Sequence, residues 1–257
     1  MTPLELFGLI CVLAVIRLAM SLRPIAVNGS SQQTLTAPGS ASVATSPSIS
    51  AVVREYLDAF IVAGLVALFL ITFVVRTFFI PSGSMEPTLQ IHDVLLVNEF
   101  EYRLSKPHDG DIVVFPPPIP TTNDFIKRMI ASPGETLRVH NGIVYRNGKA
   151  LAEPYEAQKP AYEMEIKNYH VYVDGAPLDP SQANIPPRSK WTSPDTVPPG
   201  CYYMMGDNRN NSEDSHIWGF AQTGGTFATG PEVGHKAGFT GHAFLLFWPP
   251  TRIGILH

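Results

Sequence analysis

Two apolar runs come first, and a long series of short alternating segments follows. Leu6 to Leu22 is apolar except for Arg17. Ala59 to Val75 has no charge in 17 residues, about 26 Å of helix at 1.5 Å per residue. Thr77 to Ile80 extend this second run, and Arg76 can snorkel. The pattern predicts a first transmembrane helix over residues 1–23 and a second over residues 56–80. An arginine at mid-bilayer costs about 2.5–3.5 kcal/mol, less near a helix end. A cleaved signal would start with positive charge, but Glu5 stands there and Arg17 and Arg23 come late. Residues 24–55 are rich in Ser, Ala, Thr, Gly and Gln and read as a flexible linker. Arg23 and Arg54 flank it, so the positive-inside rule places it in the cytoplasm and residues 81–257 on the far side of the membrane.

After residue 90 the period shortens. Val94–Asn98, Ile112–Phe115, Phe125–Ala131, Thr136–His140, Tyr202–Met205 and Ala243–Trp248 have strand length and composition. Asn141-Gly142 separates LRVH from IVYR, a strong hairpin signal, and Asn147-Gly148 turns the chain again. Val144–Leu151 resembles Val171–Leu178, as two hairpins stacked side by side would, or as repeated use of one turn chemistry would. The reading is a mainly β domain over 81–257 on one or two N-terminal membrane helices.

Composition narrows the function. A net charge of −4 gives no support for nucleic-acid binding. The 24 prolines cluster after residue 80 and disfavour long helices there. Cys11 and Cys201 lie in unrelated contexts, so neither a disulfide nor a zinc site is expected, and no cofactor is implied.

The candidate chemistry begins where the second apolar run ends. In Phe78–Leu89, FFIPSGSMEPTL, Ser82 and Ser84 flank Gly83 and are bracketed by Pro81 and Pro87. Such confinement suits a nucleophile at Ser84. For its base, His92 and His108 each adjoin an aspartate, and adjacent residues point apart, so neither suggests a triad. No metal-ligand spacing occurs. Lys127, in DFIKRMIA, shares a strand face with Phe125 and Met129, while Arg128 faces the other way with Ile126 and Ile130. An amine among apolar groups has a lowered pKa, as a lysine base requires. The alternative is an edge-strand lysine whose stem covers apolar surface. Gly206–Gly219, GDNRNNSEDSHIWG, is either a structural turn or a loop that supports the site with Asp207, Arg209, Ser212 and Asp214.

Four segments together resemble the bacterial-type (type I) signal peptidases, a Ser–Lys protease family. They are Ser82-Gly83-Ser84-Met85 with Pro87-Thr88-Leu89; Gly110–Phe115; Phe125-Ile126-Lys127-Arg128 with Pro133-Gly134-Glu135; and Gly206-Asp207-Asn208-Arg209 with Asn211-Ser212 and Asp214-Ser215. They stand in the family's order after a membrane segment. The resemblance implies a membrane endopeptidase with a β-fold of coiled antiparallel sheets. It would cut signal peptides from exported preproteins after a small-x-small motif. Ser84 would be the nucleophile and Lys127 the base. Ser82 and the Ser84 N–H would form the oxyanion hole. Ser212 would orient the lysine, with Asp207, Arg209 and Asp214 in support. The expected setting is the cytoplasmic membrane, close to the export machinery, with the catalytic domain on the exported side. Asn210 and His216 depart from the aspartate and arginine common in the family, Glu86 from a neutral residue. Residues 155–198 match no motif, and 221–231 look long. Two rivals are a catalytically silent anchored binder of exported chains and another Ser–Lys protease, of the self-cleaving repressor type. The retained Ser84, Lys127 and Ser212 count against the first, and the membrane-like front against the second.

Overall fold

A computed structural model describes residues 3–22, 49–73, 75–232, 234 and 237–257, and within the two long helices the side chains at 8–18, 49 and 52–68. The chain divides into two units, Met1–Val74 and Val75–His257.

The first unit contains helices α1 (Pro3–Leu22) and α2 (Ile49–Phe73). The charge that interrupts the first apolar run has a partner: Arg17 Nε donates to Asp58 Oδ1 at 2.7 Å, and a second guanidinium nitrogen to Oδ2 at 3.1 Å. A Cβ on Gly64 would lie 2.9 Å from Ile10 Cγ1, so glycine lets α1 and α2 approach closely there. Most of the expected linker lies outside the described residues, but its last part is helical, because α2 begins at Ile49 rather than at 56. Among the described residues no helix is long and apolar enough to cross a membrane. The apolar side chains at 69–73, on which the expected second span relies, lie outside them.

The second unit starts with a correction. Residues 75–80 read as the tail of the membrane helix, yet Val75–Phe79 form strand β1. The sequence VRTFF is β-branched and aromatic, and it pairs antiparallel with Val94–Asn98, strand β2. Ile112–Phe115 (β3) and Phe125–Ala131 (β4) follow. Then come Leu137–His140 (β5), Ile143–Arg146 (β6), Lys149–Ala150 (β7), Met164–Lys167 (β8), His170–Val173 (β9) and Ala176–Pro177 (β10). Cys201–Met205 (β11), Ala221–Gln222 (β12), Gly241–Trp248 (β13) and Gly254–Ile255 (β14) complete the strands.

Among the described residues these strands make two antiparallel sheets. The first runs β1-β2-β13-β3-β4-β11-β12, with β14 beside β13; the second runs β10-β9-β8-β5-β6-β7. The fold is mainly β. A core of Ile80, Met85, Leu89, Leu95, Val97, Ile112, Val114 and Leu246 fills one side of the first sheet under the Ser84 turn. Val113, Phe115, Met129, Met204 and Trp218 fill a second cluster.

The two similar hairpins share the second sheet but do not stack side by side. They sit at its opposite edges. Asn147 N donates to Thr136 O and its Oδ1 accepts from Thr136 N; Asp174 and Glu163 repeat both bonds. In the middle, Arg138 of β5 pairs with Glu165 of β8, its counterpart in the repeat. The relation is therefore a local two-fold. Asn141 and Gly142 turn β5 into β6 with φ of 50° and 70°, a conformation that favours this pair of residues.

The stretches without a motif also pack. Asn184, fully buried, bonds Trp218 O and Phe220 through its backbone, Phe220 O through Nδ2, and Ala228 N through Oδ1. It ties residues 221–231 to the 180s.

Candidate active site

The Ser84 turn is a single 3-10 turn, Gly83–Met85, between β1 and β2. Met85 and Leu89 are buried in the core below it and fix its height. Lys127 comes from β4, which lies between β3 and β11. An edge-strand lysine is thereby excluded. Lys127 Nζ lies 2.8 Å from Ser84 Oγ, although 43 residues separate them. The amine is also 5.3 Å from the Phe125 ring centroid.

Lys127 is only 4% exposed. Burial pulls its amine down to about 8, against the opposing pull of the Asp214, Glu213 and Asp207 carboxylates. A substantial neutral fraction therefore exists near pH 8, and a neutral amine accepts the proton of a serine hydroxyl. Both groups face an open cleft of about 970 Å³, whose walls include Phe78, Ile80, Ser82, Met85, Phe125 and Ser212. No histidine is among the residues lining this cleft.

The Gly206–Asp214 loop grips the Ser84 turn from the other side. Asn208 N donates to Ser84 O at 3.1 Å, and Asn208 Nδ2 to Gly83 O at 3.0 Å. A Cβ on Gly206 would lie 2.3 Å from Ser212 Oγ and 2.4 Å from Ser84 O, so only glycine fits. Asp214 Oδ2 accepts from Gly206 N at 3.0 Å and holds that glycine in place. Asp207 accepts two bonds from Arg128 at 2.9 and 2.8 Å, and one from Thr88 at 2.5 Å. This pins the segment that follows Ser84, β4 and the loop to one carboxylate.

The sequence candidates thus converge. Ser82, Ser84, Lys127 and Ser212 line one cleft, while Asp207, Arg209 and Asp214 are buried behind it. Ser212 Oγ is buried with no hydrogen-bond partner, so the expected contact to the Lys127 amine is not made in this state. His216, which departs from the arginine common in the family, still reaches Asp214. Its Nδ1 lies 2.5 Å from Asp214 Oδ1, and its ring stacks on Tyr162 at 4.2 Å. That pair is not exposed, because Asp214 is fully buried.

Strand alternation assigned Arg128 to an apolar face and missed its role. It is 1% exposed, bonds Asp207 and Gly110 O, and lies 3.9 Å from the Tyr155 ring centroid. A charged residue inside an apolar strand was the available signal, since such a group needs a buried partner. Glu153 and Tyr155 left no such signal.

A confined serine beside an amine of lowered pKa, in a cleft, is the apparatus of a serine hydrolase. A family model described as "Signal peptidase, peptidase S26" matches residues 53–229. The chain belongs to this signal peptidase family, whose members are serine endopeptidases. "Probable signal peptidase I-2" of Synechocystis sp. is 39% identical over 201 residues, 76% of this chain and 73% of that protein. "Probable signal peptidase I-1" of the same organism is 37% identical over 211 residues, 79% of this chain and 87% of its own. Signal peptidase I of Leptolyngbya laminosa is 32% identical over 226 residues, 85% and 91%.

Proposed function

We propose that this chain is a membrane-anchored endopeptidase that removes signal peptides from exported preproteins after a small-x-small motif. Ser84 is the nucleophile and Lys127 the general base. The observation that carries this reading is the 2.8 Å approach of the buried Lys127 amine to Ser84 Oγ. The neutral amine takes the hydroxyl proton as Oγ attacks the scissile carbonyl. The ammonium then protonates the departing amine, and the acyl-enzyme ester remains. Lys127, neutral again, takes a proton from the water that attacks the ester and returns it to Ser84 Oγ as the acyl bond breaks. The Ser84 N–H and Ser82 hydroxyl supply the oxyanion donors, each typically worth about 2.7–4 kcal/mol. Ser212 steadies the amine once substrate is bound. These steps balance in protons and electrons with no metal or cofactor.

The helices α1 and α2 anchor the chain in the cytoplasmic membrane, with residues 24–55 inside and the catalytic domain on the exported side. A shared membrane, near the export machinery, raises the effective concentration of enzyme and preprotein. The substrate lies extended along the cleft, where backbone bonds give affinity and side-chain pockets give selectivity.

Cleavage of a preprotein with an Ala-x-Ala site by the detergent-solubilised full chain tests this. Ser84→Ala and Lys127→Ala each abolish turnover, while His92→Ala and His108→Ala keep most of it. Continued cleavage by Ser84→Ala sinks the reading.

A further inference from the structure

A segment to which the sequence motifs assign no role runs beside the active-site loop. Glu153, whose side chain is 4% exposed, takes the Arg209 guanidinium by two bonds of 2.9 and 2.6 Å. Arg209 is fully buried, and its Nε donates to Gly206 O at 3.1 Å. Further along, Ala157 N donates to Asp207 O at 2.9 Å, and Gln158 bridges Asn208 in parallel register. Ala161 N donates to Asn210 Oδ1 at 2.8 Å. Glu153–Ala161 is thus a brace that follows the loop for four residues.

The brace leads to the nucleophile. The contacts run from the Glu153 carboxylate to the Arg209 guanidinium, then to the Gly206 carbonyl, and along the backbone to Asn208. Asn208 holds Ser84 O and Gly83 O. Gly206 is also the residue with Ser84 O and Ser212 Oγ packed against its Cα. A displaced Arg209 therefore moves both groups. A carboxylate that served only to neutralise a buried arginine would satisfy its charge from any direction. Here the two-pronged bond fixes the plane of the guanidinium that carries Gly206.

We infer that Glu153 is a positioning residue for the cleavage reaction, acting through Arg209 and the Gly206–Asn208 backbone to hold Ser84 in register with Lys127. This rests on the Ser84–Lys127 reading given above. Glu153 touches neither the serine nor the lysine, and its charge is not among those that raise the Lys127 pKa.

The test is steady-state cleavage of an Ala-x-Ala preprotein by the full chain in detergent, from pH 5 to 9, with the folded fraction measured by circular dichroism. Glu153→Gln lowers kcat by about 10- to 100-fold, as expected for small misplacement of a reacting group. KM stays within about twofold, and the pH of half-maximal rate does not move. Arg209→Lys keeps a buried cation without the planar fork and loses kcat to a similar degree. The double variant is no slower than the slower single one, because the two act in series. Wild-type kcat in folded Glu153→Gln overturns the inference. So does a loss carried by KM, a shifted pH midpoint, or an additive double variant. If Glu153→Gln does not fold, Arg209→Lys decides, and wild-type kcat there overturns it. If the unmodified chain does not cleave, the reading of the site falls and this inference with it. If it cleaves, and Glu153→Gln does so equally fast, only the inference falls.

Discussion

Replacing Lys127 with methionine separates its proposed role as base from its cost to the fold. In the folded chain its amine titrates at about 8, against 10.5 for an unburied lysine. At pH 7 the wild type must keep the amine charged in a site that disfavours charge. At about 1.4 kcal/mol per pKa unit, that costs roughly 3 kcal/mol. Methionine removes the charge but also the bond to Ser84 Oγ, worth about 1 kcal/mol. Lys127→Met is therefore expected to be more stable than wild type by about 2 kcal/mol at pH 7. At position 127 the unfolded chain binds more protons than the folded one between pH 8 and 10.5. The penalty carried by Lys127 therefore fades across this window, and the advantage of the variant shrinks. Urea denaturation of both proteins at pH 7 and pH 10 measures this. With Lys127 as the proposed base, the wild-type cleavage rate is expected to rise with pH to half its maximum near 8, and the variant to be inactive throughout. The reasoning is refuted if Lys127→Met is the less stable protein at pH 7. It is also refuted if the stability gap is the same at pH 10, or if the wild-type rate is flat from pH 5 to 9.

Other variants probe the supports. Arg128→Met strands Asp207 as a buried charge and is expected to cost about 3–5 kcal/mol in urea denaturation; a loss under 1 kcal/mol contradicts the buried pairing. Gly206→Ala forces a methyl onto Ser84 O and Ser212 Oγ, and kcat for the preprotein should drop about 100-fold; an active Gly206→Ala enzyme rules out this packing. Ser212→Ala removes a buried hydroxyl without a partner, so the melting temperature should hold or rise while the cleavage rate falls; a clear loss of stability argues that the hydroxyl is bonded.

The strands at 94–98, 112–115 and 125–131 coincide with those read from the sequence, because alternation and flanking turn residues are local signals. The end of the second apolar run was not legible. VRTFFI suits a helix or a strand, and what decides between them is pairing with β2, which residues 75–80 do not encode. The face of Lys127 was legible and that of Arg128 was not. Alternation assumes one wet face, whereas from Lys127 to Ala131 every residue of β4 is buried. The motifs named the residues that meet in the cleft, but spacing along the chain carries no trace of the 2.8 Å approach. Glu153 was invisible for the opposite reason. A glutamate before a proline in a polar loop looks solvated until Arg209 arrives from 56 residues away.

The sheet edges carry a consequence for the proposed work on extended polypeptide. Strands β7, β10, β12 and β14 have two residues each, and β10 ends in a proline. Such short edges are poor templates for a passing polypeptide, which would need several consecutive backbone bonds to stick. The five residues of β1 form the one longer outer strand among the described residues, and Phe78 and Phe79 at its end border the cleft. Extended chains thus find little to hold them elsewhere on the sheets, which guards the molecule against unwanted pairing with other polypeptides.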